Sequence, residues 1–389
     1  MMILAGVRKT IAIFSLMGLS NYSIAEDINI GMSTALSGPA KALGTGMKIG
    51  VESYFKSVNG AGGVGGKTLR LIVLDDGYEP NRAAPNMRKL IDAEKVVAVM
   101  GNVGTPTAIV TVPIANEKKV LLFGAFTGAG VLRKDPAERY VINYRASYAE
   151  ETADMITGLL SAGIKPEEIA FFTQNDGYGD AGYQGAISAL KVAGFSNVQT
   201  LVHGRYTRNT LNIEDGLATI LDSDIEPRAI IMVGAYGPCA KFIKLAKEEF
   251  PDTHYLNVSF VGSNALALEL GDSGEGVIVT QVVPHFNDNL ALVDEYKKAL
   301  AQFDNSAKPS FVSLEGYIVA KVFVEGLKGA GNINRESIID GLESLKNLDI
   351  GMGFSLSYSK KNHQASHKIW PTRIKSGEYV AFEWSDFKR

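Results

Sequence analysis

Cysteine is nearly absent from this 389-residue chain, with Cys239 the only one. An internal disulfide framework is excluded, so the fold has to rest on its hydrophobic core. Cys239 follows Pro238 at the start of a helix-like stretch and reads as a small buried packing residue. Histidine is scarce as well, at five residues. His363 and His367 are four apart, but they lie in a polar loop ahead of a strand-like segment, which is not the helical setting a metal motif needs. Charge of one sign is also lacking, the net charge being −3. No basic field exists to hold nucleic acid, and no acidic tail to buffer cations. There is no G-x-S-x-G elbow, no H-E-x-x-H and no Walker loop. These absences favour binding without chemistry and without a cofactor. What is present is ordinary globular material, 46% hydrophobic and 21% charged. At roughly 100–200 residues per domain, the length predicts two domains.

The first 25 residues stand apart. Arg8 and Lys9 precede the apolar stretch IAIFSLMGL (11–19), and Ser23, Ile24 and Ala25 supply small residues at a cleavage site. This is the pattern of a secretory signal peptide, with an apolar run too short to span a bilayer. No cysteine sits near the cut to take a lipid anchor. The mature chain is expected to be soluble in the periplasm, with no direct membrane insertion.

Beyond the leader, short apolar runs alternate with helix-like stretches. The runs are LRLIVLDD (69–76), VVAVMGN (96–102), VLLFGAF (120–126), IAFFTQND (169–176), AIIMVGAY (229–236) and YLNVSFVG (255–262). Unbroken Val/Ile/Leu/Phe strands joined by helices indicate parallel sheet buried on both faces. Strands are expected at Ile169, Val198, Ala229 and Tyr255 in a second series, with VINYRAS (141–147) as an extended crossing between the series. After GVIVTQVVPHF (276–286) three helices are predicted, at 290–303, 311–328 and 335–345. Strands then return at FSLSYS (354–359) and across 367–384, where Ser376 and Gly377 supply a hairpin turn. The order predicts an α/β protein of two discontinuous Rossmann-like lobes with parallel sheets. The first is expected at residues 26–144 plus 282–350, the second at 145–281 plus 351–389.

Two motifs invite a chemical reading. GAGGVG (60–65) matches G-x-G-x-x-G, but a helix precedes it and a strand follows, the reverse of what a dinucleotide needs. It reads as a helix C-cap and loop. Asp75 and Asp76 at a strand end read as a solvated cap where Tyr78 and Pro80 turn the chain.

Ligands of such sheets sit beyond the carboxyl ends of the strands. There GNVGTPTA (101–108) offers Thr105 as an N-cap, Pro106 at the first helical position and Thr107 as a second hydroxyl. Free N–H groups and hydroxyls at a helix start make a seat for a carboxylate. Thr127 adds another hydroxyl and Gly128 close backbone approach, while Tyr178 and Tyr236 place aromatics at strand ends of the second series.

With these residues in view, the chain resembles the periplasmic solute-binding proteins of the leucine/isoleucine/valine-binding type, which serve ABC importers. The likeness rests on LSGPAKALG (36–44), VNGAGGVGGK (58–67), DDGYEPNRA (75–83), GNVGTPTA, FGAFTGA (123–129), NYRASYAEE (143–151) and QNDGYGDAG (174–182). The resemblance implies two lobes joined by three crossings, closing on a small solute that a membrane permease then accepts. It implies ligand contacts from Leu43, Thr105, Thr107, Thr127, Gly128, Tyr148, Tyr178, Tyr236 and Asn264. Two positions depart from the amino-acid binders: Leu43 replaces an aromatic, and Asn264 stands where a Glu meets the ligand ammonium. An amide cannot neutralise a buried ammonium. An organic acid, aromatic in one version, or a neutral amide-like solute becomes the alternative to an amino acid. A sensory receptor subunit shares every cleft residue and is the rival function. A repressor of the lactose type would need a DNA-binding helix pair where the leader stands. N-terminal sequencing of the exported protein is expected to begin near Glu26; an intact Met1 in a cytosolic fraction would defeat that expectation.

Overall fold

The six apolar runs between residues 69 and 262 each overlap a strand in the computed structural model, and helices cover both faces of the sheets. It describes residues 27–388, so the expected leader at 1–25 lies outside the described residues. The first sheet contains β1 (Ile28–Thr34), β2 (Leu69–Asp75), β3 (Ala98–Met100), β4 (Leu121–Phe123) and β5 (Val141–Ile142). They are parallel, in the order β2-β1-β3-β4-β5. The intervening helices are α1 (Lys41–Gly60), α2 (Pro80–Asp92) and α3 (Thr105–Lys118). The sequence spaces Met47, Val51, Tyr54, Phe55 and Val58 as one apolar face of α1; the first four are buried against the core and Val58 is half-buried at its edge. The glycines after it form the expected loop, with Gly62, Gly63 and Gly65 at φ of 101°, 76° and 58°.

The second sheet repeats this wiring. After α4 (Tyr148–Ser161) come β6 (Ile169–Gln174), α5 (Gly177–Val192), β7 (His203–Tyr206), α6 (Glu214–Leu221) and β8 (Ala229–Val233). Then follow α7 (Tyr236–Glu249), β9 (His254–Asn257), α8 (Ser263–Leu270) and β10 (Ile278–Gln281). The parallel strands again run second-first-third-fourth-fifth, β7-β6-β8-β9-β10. Both sheets therefore reverse direction beside their first strand, between β1 and β3 and between β6 and β8. That switch point is where an open α/β sheet leaves a crevice.

The chain then returns to the first sheet. Helices α9 (Ala291–Phe303), α10 (Phe311–Gly329) and α11 (Arg335–Ser344) fall within two residues of their predicted limits. Residues 348–349 (β11) pair with 355–356 (β12) outside both sheets. The hairpin β13 (Trp370–Lys375) and β14 (Glu378–Ala381) adds antiparallel to β10. Its turn residues Ser376 and Gly377 have φ of 52° and 81°, as a two-residue hairpin with right-handed twist requires.

Three expectations are corrected. Residues 198–200 form a single 3-10 turn, and the strand begins five residues later at His203. The strand expected over 354–359 is only two residues long. Val141 and Ile142 belong to the first sheet, so the crossing starts after them. There the Tyr144 hydroxyl lies 3.4 Å from the Val282 carbonyl and 3.5 Å from the Met352 sulfur, and the Tyr144 carbonyl accepts from the Ser366 N–H at 2.8 Å on the segment leading to β13.

Helices α1 and α10 approach closely enough that a Cβ on Gly50 would stand 2.0 Å from the Ser313 carbonyl oxygen. The obstacle is backbone and cannot rotate away. Gly50→Ala is expected to destabilise by about 3 kcal/mol, the upper range for overpacking. A denaturant midpoint equal to the parent's would contradict this close helix contact.

Candidate functional site

The two switch points face each other, and residues after β2, β3, β4, β5, β6 and β9 meet between the sheets. From the first lobe come Tyr78, Thr105, Phe126 and Thr127; from the second come Tyr148, Tyr178 and Phe260. All are at most 2% exposed, so the lobes are closed. Phe260 is the centre of the cluster. Its ring centroid lies 4.5 Å from Tyr178, 5.4 Å from Phe126, 5.8 Å from Tyr78 and 6.4 Å from Tyr148.

At the polar end, the hydroxyls of Thr105 and Thr127 are 2.7 Å apart. Thr105 is not the N-cap. Gly104 occupies that position at φ 107°, and a Cβ there would collide with the Tyr78 ring at 2.1 Å. A non-glycine cap is thus excluded by packing, and Thr105 becomes the first helical residue with its hydroxyl turned to Thr127. The first-turn N–H groups of α3 have no intrahelical acceptor. Thr107 serves structure: its hydroxyl donates to the carbonyls of Val103 and Gly104 at 2.6 and 2.9 Å. Gly128 makes room for protein, since a Cβ there would lie 2.6 Å from the Tyr148 ring. The Tyr148 hydroxyl stands beside Thr127 yet completes no hydrogen bond. Burial pushes its pKa up to about 12, so it stays a donor.

Arg145 was legible only as part of a crossing. It is 1% exposed, with its guanidinium 4.8 Å above the Phe126 ring and 5.8 Å from that of Tyr148. Nη2 bonds the Ser259 hydroxyl and lies 3.4 Å from Glu151; Nη1 lies 3.5 Å from Glu315 on α10. Nε and Nη1 have no hydrogen-bond acceptor. Glu151 is well satisfied, accepting from the Ser259 N–H and the Thr280 hydroxyl, both at 2.7 Å. Burial pushes the Glu315 carboxyl up to about 7, against the pull of Arg145.

The rim carries contacts between the lobes. Gln174 donates to the Tyr78 hydroxyl at 3.1 Å. Arg208 bridges Glu79 at 2.9 Å and Asp176 at 3.1 Å, and Asn209 donates to the Gly77 carbonyl at 3.1 Å. Tyr78 holds a left-handed backbone, φ 65°, which a tyrosine adopts only when its surroundings impose it. Leu43 and Tyr236 meet across Gly262: a Cβ on that glycine would lie 2.5 Å from Leu43 and 3.4 Å from Tyr236. Asn264 also lies on the rim, its amide oxygen accepting from the Phe311 N–H at 3.3 Å.

The remaining polar candidates are structural. Asp76 is fully buried and not a solvated cap; it accepts from Ser33 and from the Tyr78 N–H. Asp75 caps the loop after β1 through the N–H groups of Leu36 and Ser37. His363 is bound to the Val141 carbonyl and Glu343, and His367 to Glu150. Cys239 is buried. Among the described residues no group of three or more His, Cys, Asp or Glu is placed to hold a metal ion.

Two sheets of the same order, closing their switch points on an aromatic and hydroxyl-lined cleft, define a solute-binding protein. The chain belongs to the periplasmic binding protein family, whose model matches residues 27–378 and whose members act outside the cytoplasm. A solved structure of a possible leucine/isoleucine/valine-binding protein from Rhodopirellula baltica is 50% identical, with a TM-score of 0.91 over 93% of this chain and 98% of that one. A substrate-binding periplasmic protein from Ralstonia solanacearum is 26% identical, with a TM-score of 0.84 over 92% of this chain and 100% of its own. A leucine-, isoleucine-, valine-, threonine- and alanine-binding protein of Pseudomonas aeruginosa is 22% identical over 97% of this chain and 95% of its own.

The Arg208–Glu79 bridge joins the lobes without touching the hydroxyl pair, while Arg208–Asp176 lies within the second lobe. Arg208→Ala is expected to cost the closed form about 0.5 kcal/mol, the value of one partly exposed pair, or roughly twofold in the closed-to-open ratio. Small-angle scattering of the ligand-free variant should show a larger radius of gyration than the parent. An unchanged profile would mean the bridge does not hold the lobes together.

Proposed function

We propose that the mature protein is exported, captures a small carboxylate by closure of its two lobes, and hands it to the permease of an ABC importer. The moving units are the first sheet with α1–α3 and α9–α11, and the second sheet with α4–α8, turning about the crossings near Tyr144 and Val282 and about the segment that leads from His363, held to Val141 and Glu343, to β13. One observation carries the reading. The Tyr148 hydroxyl, beside Thr127, and Nε of Arg145, whose guanidinium lies 4.8 Å over the Phe126 ring, are buried donors without hydrogen-bond acceptors at the edge of the Thr105–Thr127 hydroxyl pair. Buried unpaired donors cost free energy, and an anion that accepts from them would recover it. Nothing in this arrangement supplies a nucleophile with a matched base, so the site binds without transforming its solute.

The same geometry argues against an ammonium group on that solute. Asn264 is engaged by Phe311, and Glu151 by Ser259, Thr280 and Arg145. Glu315 is raised to about 7 and faces Arg145, so it is a poor counter-ion at neutral pH. A carboxylate without an amino group therefore suits the cleft better than the amino acids bound by the named relatives.

Two measurements test this reading. Thr105→Val and Thr127→Val keep side-chain shape and remove a hydroxyl; each is expected to weaken binding by about 1–3 kcal/mol. A thermal-shift screen should give larger stabilisation with small organic acids than with leucine, isoleucine or valine, because a tight ligand stabilises the folded state by mass action. A branched amino acid giving the largest shift, with none from its des-amino analogue, would overturn the carboxylate assignment.

A further inference from the structure

Phe260 is an unusual residue to find at the centre of a solute cleft. It was not singled out in the sequence, yet it is the ring that touches aromatic side chains of both lobes at once, Tyr78 and Phe126 on one side and Tyr148 and Tyr178 on the other. It is fully buried, and it belongs to a single 3-10 turn, Ser259–Val261, not to a strand or helix of the core. The turn is anchored at one end, where Glu151 accepts from the Ser259 N–H and hydroxyl at 2.7 and 2.9 Å. Its other end is Gly262 in the left-handed region, φ 83°. The turn can therefore stay fixed while the ring at its middle rotates. Beyond the ring lie the unpaired donors of Arg145 and Tyr148.

We infer that Phe260 is a built-in stand-in for the solute: in the ligand-free closed form its ring fills the apolar part of the binding slot, and the solute that displaces it is a small aryl carboxylate. The inference rests on the carboxylate reading above and extends it to the rest of the ligand. Withdrawing the ring leaves a flat slot walled by four aromatic rings. A phenyl group restores the tilted and edge-to-face contacts that Phe260 makes, which a branched alkyl group of similar volume cannot. The carboxylate then points to Thr105, Thr127, Tyr148 and Arg145. Phe260 thereby sets selectivity by competing for the slot, since any solute must offer the walls contacts at least as good as those it replaces.

Competition and simple lining have opposite signatures on mutation. A side chain that only lines a pocket weakens binding when truncated; one that occupies the pocket strengthens it. Benzoate and isovalerate are titrated calorimetrically into the mature parent, Phe260→Ala and Phe260→Leu, with thermal melting of each ligand-free variant to verify folding. Benzoate is expected to bind the parent more tightly than isovalerate. Phe260→Ala is expected to bind benzoate about tenfold more tightly than the parent, a gain of about 1.4 kcal/mol. Phe260→Leu, the conservative variant should alanine not fold, is expected to gain less. Weaker benzoate binding in the variants, or isovalerate matching benzoate in the parent, would overturn the role given to Phe260 while leaving the carboxylate site standing. Should neither acid bind the parent, the carboxylate reading fails on its own. The slot is then decided with toluene, which should raise the melting temperature of Phe260→Ala and not of the parent; no shift in the variant would overturn it.

Discussion

The buried guanidinium of Arg145 is the constraint on which the closed structure depends. It sits on the first crossing, between Glu151 of α4 and Glu315 of α10, so one charge couples an acid from each lobe. Removing it would strand two carboxylates in the interior, and breaking a buried pair of this kind costs about 3–5 kcal/mol. The same burial leaves its Nε without a hydrogen-bond acceptor. On the proposed reading a hinge charge and a ligand donor are thus one group. Closing the lobes and preparing the polar end of the cleft become a single event.

Around that charge the two halves of the molecule contribute differently. The first lobe supplies hydroxyls at the start of α3, where helix geometry already exposes N–H groups. The second supplies rings, Tyr148, Tyr178 and Phe260, carried on the starts of α4 and α5 and on a short turn. Neither set is a site alone. Closure brings polar and apolar walls together, and the rim bridges of Arg208 and Gln174 add a modest bias toward that state. A ligand can shift such an equilibrium only by the difference in its affinity for the open and closed forms. A cleft whose rings pack closely on one another raises the contact quality a solute has to match.

Much of this was legible in the sequence, because it depends on local patterns. Unbroken apolar runs gave the parallel strands, and the 3.6-residue stripe of α1 fixed its buried face. The Ser376–Gly377 pair marked the hairpin, and the inverted order around GAGGVG excluded a nucleotide loop, since each signal lies within a few residues of its effect. Thr127 and Tyr178 could be placed at the cleft from the sequence because strand ends at a switch point are predictable from wiring alone, and Tyr148 through the family resemblance.

What tertiary structure decided are relations between distant residues. Gly104 displaced Thr105 from the cap because Tyr78, more than twenty positions earlier in the chain, packs where a side chain would go. Thr107 turned to its own backbone, and Asn264 to Phe311 across the rim. Arg145 looked like one residue of a crossing and Phe260 like one more apolar residue of a strand end. Their partners come from both lobes, and no spacing along the chain records which of them will meet. The sequence by itself determined the elements and their wiring, through propensity and periodicity. The contents of the cleft were settled only when two separately wired sheets closed face to face, because burial, charge pairing and ring packing there are properties of the space between them.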